Sequence, residues 1–481
     1  MAGVTGIGSG IDIDSIVKSM VAAERAPKET QLANLEKKTT TQISAVGALN
    51  GALADFQASL KALNKPELFQ ARSATSSSSD LVGVSATTKA GGGTYQVEVK
   101  ELASNSKIAL AAVKNTTEAP ARFASGTLSI SLGGPSVPPA EATKESFSIQ
   151  VDESNNTLAG MRDAINKEGK DIGISATIVT DEFGSRLVLS SSKSGEGRDI
   201  TVAGDGDAQQ GKVGLSDLTF DGTPGDEKSG RTLVPAQSAV LSVDGLRIVS
   251  ATNKVEGAIE GVTLDLKGKT AANEPLSIGV EEDKAGVKAQ VQTFVDAYNK
   301  LIGVINAQTK VTSAGGDNAP VAGALVGDSA VRTLLGAIRN ELVNSQGEGA
   351  IRALADIGIT TQKNGTLVVD SDKLDKRLAD NFEQVSGLFT GTAGLASRLD
   401  AKIKPYTETG GIFEQRDKQL NDTKSGIGKQ REDLDRRIIS LQARLFKQFN
   451  AMDLLVGQLG NTSSSLIASL ENLPWAAGNR K

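Results

Sequence analysis

The sequence predicts an α+β multidomain chain that is discontinuous in its domains. Terminal helices form a coiled-coil or helical leg, and β-rich head domains are inserted between them. Three observations carry this expectation. Near the N-terminus a seam with alternating spacings of three and four runs through Leu32, Leu35, Thr39, Gln42, Val46, Leu49, Leu53, Phe56, Leu60 and Leu63. Near the C-terminus the spacing recurs in Leu434, Ile438, Leu441, Leu445, Gln448, Met452, Leu455 and Leu459. Between the seams the apolar period changes to two, as in strands with one buried face. Water satisfies neither stripe, so each needs a partner helix, and the simplest partner is the other stripe. Gln42 and Gln448 interrupt the seams. Such residues either fix register and partner number or face a wet part of the bundle.

The elements follow in order. Residues 1–11 are Gly-rich (Gly3, Gly6, Gly8, Gly10) and read as irregular. Asp12 or Asp14 caps a short helix with Ile16, Val17, Met20 and Val21 on its apolar face. Pro27 ends that helix or opens the next, which runs from about Lys28 to Asn64 as a rod of about 55 Å. The Ser-rich run 73–80 reads as a connector. Alternation then marks strands around Tyr95–Val99, Leu128–Leu132, Phe147–Val151, Ile174–Val179 and Arg186–Ser190, with one helix at Thr157–Lys167 between them. Residues 203–231 read as loops. Leu241–Ile248 forms a hairpin, because Asp244-Gly245 supplies the positive φ angles of a type I′ turn. Strands follow at Val262–Leu266 and Leu276–Val280. Helices are expected at Lys284–Gln308 and Asp328–Asn344, with a Gly- and Asp-rich loop at 313–318 between them. A second hairpin turns at Asn364-Gly365. Asp370 or Ser371 then caps a helix bearing Leu374, Leu378, Phe382, Val385 and Leu388. The last long helix begins near Phe413. Its regular heptads start at Leu434, because Lys424 and Arg431 hold earlier seam positions. Leu466, Ile467, Leu470 and Leu473 form a final amphipathic stretch before Pro474-Trp475.

Composition narrows the function. The 481 residues allow roughly three or four domains. With 52 basic and 57 acidic residues the net charge is −5, which leaves no basic field for nucleic acid. No run approaches the ~20 apolar residues of a membrane span. Cysteine and histidine are both absent, which removes disulfides, thiolate chemistry, the commonest general base and the commonest metal ligand. Together with 3% aromatics, these depletions suit a chain exported unfolded to an extracellular assembly. The opening Met1–Gly6 lacks the basic and apolar regions of a Sec-type signal peptide, so the expectation is a cytoplasmic protein or export without a cleaved signal.

Catalytic motifs fail on inspection. Gly206–Val213 nearly spells a P-loop, but Val213 stands where Ser or Thr must reach Mg²⁺. Gly6-Ile-Gly8-Ser-Gly10 lacks the third glycine spacing of a dinucleotide fingerprint. Asp370-Ser-Asp372 opens like a calcium loop, yet Asp375 and Asn381 replace its required Gly and Glu, and a helix cap accounts for these acids better. No catalytic residue, cofactor site or metal site is expected.

The string Gly6-Ile-Gly8-Ser-Gly10-Ile-Asp12-Ile-Asp14 through Pro27 closely resembles the opening of the flagellar filament-capping, or hook-associated protein 2, family. Leu276–Asp283 leading into Val291–Leu301, and Ile357 through Phe389, are similar to the family's C-terminal half. Thr157–Asn166 with the strands after it is similar to the insert shared by flagellins and hook-associated proteins. The resemblance implies terminal leg segments 1–40 and 450–481, flexible until assembled. It implies a helical leg domain from 41–72 and 281–449 with a small β-hairpin. It also implies a β-rich head from 73–108 and 236–280, and an outer β-rich head at 109–235 carrying the flagellin/hook-type insert motif.

The implied function is a cap at the distal tip of the bacterial flagellum that retains exported flagellin and promotes its folding and insertion. The implied partners are self, in a ring of five or six, flagellin, the hook–filament junction proteins, and a cytoplasmic export chaperone at Leu466, Ile467, Leu470 and Leu473. Two other readings stay open on the sequence, and a third, an enzyme, is the least expected because no catalytic constellation survives inspection. One is another axial component, either a flagellin or a junction protein. The other is a secreted adhesin whose heads bind host mucin or glycans.

Overall fold

The computed structural model describes residues 10, 12–116, 119–133, 145–209, 211–223, 225–312, 320–344 and 349–471. Gly6, Gly8, Leu473, Pro474-Trp475 and the 313–318 loop lie outside them. The helices are α1 (Ile13–Leu63), α2 (Pro66–Gln70), α3 (Leu158–Glu168), α4 (Lys284–Thr309), α5 (Ser329–Val343), α6 (Ser371–Asp380), α7 (Phe382–Phe389), α8 (Leu395–Thr407) and α9 (Ile412–Glu471). The first strands are β1 (Arg72–Ser76), β2 (Val82–Ala86), β3 (Gly93–Glu101), β4 (Asn105–Ala109), β5 (Gly126–Leu132), β6 (Glu145–Val151), β7 (Ile174–Asp181) and β8 (Gly184–Ser194). They are followed by β9 (Ile200–Asp205), β10 (Arg231–Val234), β11 (Ala239–Val243), β12 (Leu246–Ser250), β13 (Lys254–Ile259), β14 (Val262–Leu266) and β15 (Leu276–Glu282). Two compact units result, one from residues 1–66 and 284–481, the other from 67–283.

In the helical unit α1 and α9 run antiparallel. Ile13 and Val17 pack with Leu445, and Leu32 packs with Ile427, Leu434 and Ile438. Arg25–Asp435 (2.8 Å) and Arg431–Glu36 (2.7 Å) flank this seam. The two terminal stripes are thus partners over only part of their length. Val46, Leu49, Leu53, Phe56 and Leu60 are buried where α1 packs on α4 and α8. There Phe56 meets Phe294 and Tyr298 with ring centroids 5.7 and 5.8 Å apart, and Phe294 meets Phe389 at 6.2 Å. Tyr298 donates its hydroxyl to Gly365 O at 3.0 Å. The Asn299 side chain donates to Leu367 O (2.8 Å) and accepts from Leu367 N (2.7 Å), fixing one edge of the small hairpin Ile359–Thr361 and Leu367–Val369.

Four details differ from expectation. Pro27 lies inside α1 instead of breaking it. Its ring sits on an exposed face, so water can serve the carbonyl one turn back, and strong helix formers flank it. The α9 seam begins at Phe413, not Leu434: Phe413, Leu420, Ile427 and Leu434 are buried at seven-residue steps. One apolar residue per heptad was too sparse to read, and Lys424 lies exposed outside the seam. Asn381, at φ −140°, divides the expected helix after Asp370 into α6 and α7. Helix α8 was not anticipated, although Leu395, Leu399 and Ile403 recur at four-residue steps and are buried. Helices α1 and α9 run without interruption through residues 40 and 450.

Replacing Pro27 by alanine restores one backbone hydrogen bond and removes the ring clash. It is expected to stabilise the helical unit by about 1–3 kcal/mol. An unchanged denaturation midpoint would mean the helix already absorbs the proline without strain.

The other unit carries two cores. Sheet order β1-β15-β3-β11-β12 and the sheet β13-β14-β2 enclose Val97, Val99, Leu241, Leu264 and Ile278. The chain leaves this core after Ala103 and returns to it at Ala239. Between those points, sheets β10-β4-β8-β7 and β6-β5-β9 with α3 enclose Phe123, Leu128, Ile130, Met161, Ile165, Leu187 and Leu189. The β11–β12 turn has φ values of 49° at Asp244 and 83° at Gly245, as a type I′ hairpin requires. Residues expected to be connectors contribute more than expected. Arg72–Ser76 is an edge strand paired with β15, a place where short polar side chains suffice. Leu215, Leu218 and Phe220 from the expected 203–231 loop are buried in the second core.

Candidate assembly interface

Asp12 fixes where α1 starts. Its carboxylate accepts from Ser15 N at 3.0 Å and from Ser15 Oγ at 2.7 Å. These bonds to Ser15 hold the Asp12 carboxyl below the usual range. Asp14 pairs with Lys18 in the first turn. Gly10, at φ +71°, precedes the cap in a conformation that does not continue a helix.

The α9 face that packs on α1 through Leu434, Ile438 and Leu445 continues past the start of α1. Met452, Leu455, Leu459, Leu466, Ile467 and Leu470 fall on the same side of the helix by 3.6-residue periodicity. They are 47%, 58%, 68%, 58%, 54% and 52% exposed. About five turns of apolar stripe thus stand uncovered by the described residues. Of the sequence-predicted seam, Leu32, Val46, Leu49, Leu53, Phe56, Leu60, Leu434, Ile438 and Leu445 are buried, and Leu441 is partly buried. Leu35 is 40% exposed, Gln42 half-buried and Gln448 exposed. Sequence reasoning missed Ile439, Leu454 and Val456, which are also exposed. They lie off the heptad seam, so only the structure distinguishes them from residues that pack. Beside the paired region, an open groove between α1 and α9 is lined by Met20, Ile438 and Leu441 together with Glu24, Lys28, Arg437 and Arg444.

Chemistry finds little purchase. Among the described residues no group of acids could hold a metal ion, and no helix is long and apolar enough to cross a membrane. Asp370 caps α6 by accepting from Lys373 N at 3.0 Å, which accounts for the calcium-like string. Val213 of the P-loop-like string sits in a β-bridge with Phe123 instead of opening a helix. The arrangement favours association through apolar helix faces.

The comparisons agree along the whole chain. Residues 9–106 match the family model described as flagellar hook-associated protein 2 N-terminus, and residues 236–461 match its C-terminus counterpart. Residues 127–193 match the flagellin hook IN motif. The B-type flagellar hook-associated protein 2 of Pseudomonas aeruginosa PAO1 is 45% identical over 485 residues, covering 100% of both chains. The flagellar hook-associated protein 2 of Escherichia coli K12 is 32% identical, covering 97% of each. The crystal structure of the D1-D2-D3 domains of the Escherichia coli flagellar cap protein FliD superposes with a TM-score of 0.58 at 28% identity, covering 78% of this chain and 99% of that one. With terminal helices flanking β-rich cores and relatives matching from end to end, the chain belongs to the flagellar hook-associated protein 2 family.

Proposed function

We infer that this chain caps the distal end of a bacterial flagellar filament, outside the cell, as a closed ring of identical subunits. Its end-to-end similarity to flagellar cap relatives carries the reading, and the uncovered α9 stripe supplies a surface suited to assembly. In this reading the ring holds arriving flagellin until it folds into the filament. A heterologous contact either closes or propagates, and closure is what separates a cap from a filament subunit. Residues 73–108 with 236–280, and 109–235, would be separate heads, in keeping with the two cores. The finer partners are a ring of five or six copies, the hook–filament junction proteins, and an export chaperone that grips Leu466, Ile467, Leu470 and Leu473 before secretion. An amphipathic helix laid into a groove is a common recognition mode and suits that last step. The relatives favour capping over a flagellin, a junction protein or an adhesin.

The test is complementation of a cell lacking its own cap protein. The wild-type chain is expected to restore long filaments, and purified protein to give discrete rings by mass photometry. Open-ended polymers, or flagellin still lost to the medium, would sink the reading.

The triple variant Met452→Ser, Leu455→Ser, Leu459→Ser separates assembly from folding. Each site is exposed, so chain stability should change by only about 0.5 kcal/mol per site. Filament restoration should nevertheless fall at least tenfold. Normal filament length in cells expressing this variant would exclude the stripe from assembly.

A further inference from the structure

We propose that Met452 is an oxidation site that takes the chain out of assembly: a two-electron oxidant such as hydrogen peroxide converts its thioether to the sulfoxide and breaks the uncovered α9 stripe. The effect on assembly rests on the capping reading, and the modification itself does not.

Composition sets the chemistry. The chain has no cysteine, so no thiolate competes for such oxidants, and its four methionines are the only sulfur it offers. Three of them are among the described residues. Met161 is fully buried in the second β-rich core. Met20 on α1 and Met452 on α9 are 46% and 47% exposed. An oxidant reaches their sulfur from solvent, whereas Met161 requires its core to open. The thioether sulfur attacks one peroxide oxygen and the O–O bond breaks. The proton on the transferred oxygen passes to the departing hydroxide, which leaves as water. Sulfur loses two electrons, and peroxide gains them.

Position decides the consequence. In the α9 seam from Leu434 to Leu459, Met452 is the one sulfur, and the other apolar positions are Leu or Ile. It stands at the head of the stripe beside Leu455 and Leu459, neither of which can donate a hydrogen bond. A sulfoxide oxygen covered there by an apolar surface is left without a donor, which opposes the covering. Met20 is matched in exposure, but it lies beside the seam that Val17 and Leu445 already close. Its oxidation leaves the stripe intact.

The full-length protein is treated with hydrogen peroxide and read in two ways. Peptide masses should rise by one oxygen at Met20 and Met452 at similar rates, and at Met161 at least tenfold more slowly. Mass photometry should show rings falling at least tenfold in the parent and in Met20→Leu. In Met452→Leu the ratio of treated to untreated rings should stay near one, whatever its untreated level. Methionine sulfoxide reductases should restore rings to the oxidised parent. Oxidation of Met161 in step with the other two would show that peroxide follows unfolding, and would overturn the site. Ring loss that persists in Met452→Leu, or that reduction does not reverse, would overturn the effect on assembly. So would full rings from a chain oxidised at Met452. An untreated parent without rings would sink the capping reading and the effect on assembly with it, and the peptide masses would still decide the modification. Far-UV circular dichroism matching the untreated chain confirms that the oxidised protein stays folded.

Discussion

Replacing Phe56 by alanine is expected to destabilise the helical unit by about 3–5 kcal/mol, the range for removing a large aromatic from a packed core. Phe56 is fully buried. Its ring holds together three segments distant in sequence: α1, α4 through Phe294 and Tyr298, and through Phe294 also Phe389 of α7. The cavity would open beside Tyr298, whose hydroxyl bond to Gly365 positions the small hairpin. Burial pushes the Tyr298 hydroxyl above its ordinary pKa, so solvent entering the cavity should bring that value back down. Two readouts check the prediction. Urea unfolding followed by far-UV circular dichroism gives the stability loss. Ultraviolet titration of tyrosine shows one phenol moving down toward the ordinary value. A loss under 1 kcal/mol would mean that α1 can collapse onto α4 without this ring.

The success and failure of sequence reading divide along the density of the pattern. Where apolar residues recur two per heptad, as in α1 from Val46 to Leu60, or alternate strictly, as in Leu276–Val280, burial follows the expectation. Asp244-Gly245 was legible because its turn requires φ angles that few other residues adopt. Where burial relies on one residue per heptad, as at Phe413, Leu420 and Ile427, the period fell below what a sequence shows. Polar edge strands such as Arg72–Ser76 fail for a different reason. Their identity comes from a partner strand some two hundred residues away, not from their own side chains. The candidate interface divides likewise. Its residues were legible as a seam, but which of them lacks a partner depends on where α1 starts, and Met452, Leu455 and Leu459 read the same in sequence as the buried Leu434 and Leu445.

Replacing Arg186 by methionine is expected to cost the second β-rich core about 3–5 kcal/mol, because it leaves the Asp181 charge without its partner and takes one donor from each of several carbonyls. Arg186 is 2% exposed, and its guanidinium does the work of a small sheet. It pairs with Asp181 at 2.7 Å across the β7–β8 hairpin, donates to Leu110 O at 3.3 Å, and reaches Glu227 O, Lys228 O and Ser229 O. Arg186 thus links the 227–229 segment to the hairpin, and Lys228 O also accepts from Ala112 N at 2.8 Å. Burial pushes the Asp181 carboxyl up, but the amides of Phe183 and Gly184 and the guanidinium outweigh it and hold the carboxyl below its ordinary value. A carboxyl lowered on folding stabilises the folded state above its unfolded value, near 3.8, and that contribution fades as pH falls through the lowered folded value. The parent chain should therefore lose stability in this unit below about pH 4, and Arg186→Met should lose less over the same interval, because Asp181 then starts nearer its ordinary value. Hydrogen exchange read by mass spectrometry should show residues 227–229 opening first in the variant at neutral pH. If those amides stay protected while the unit unfolds as a whole, the arginine matters through the hairpin alone, and the loop is held by the Ala112 N bond to Lys228 O and by its own turn, in which Asp226 accepts from Lys228 N at 3.0 Å and Ser229 N at 2.9 Å.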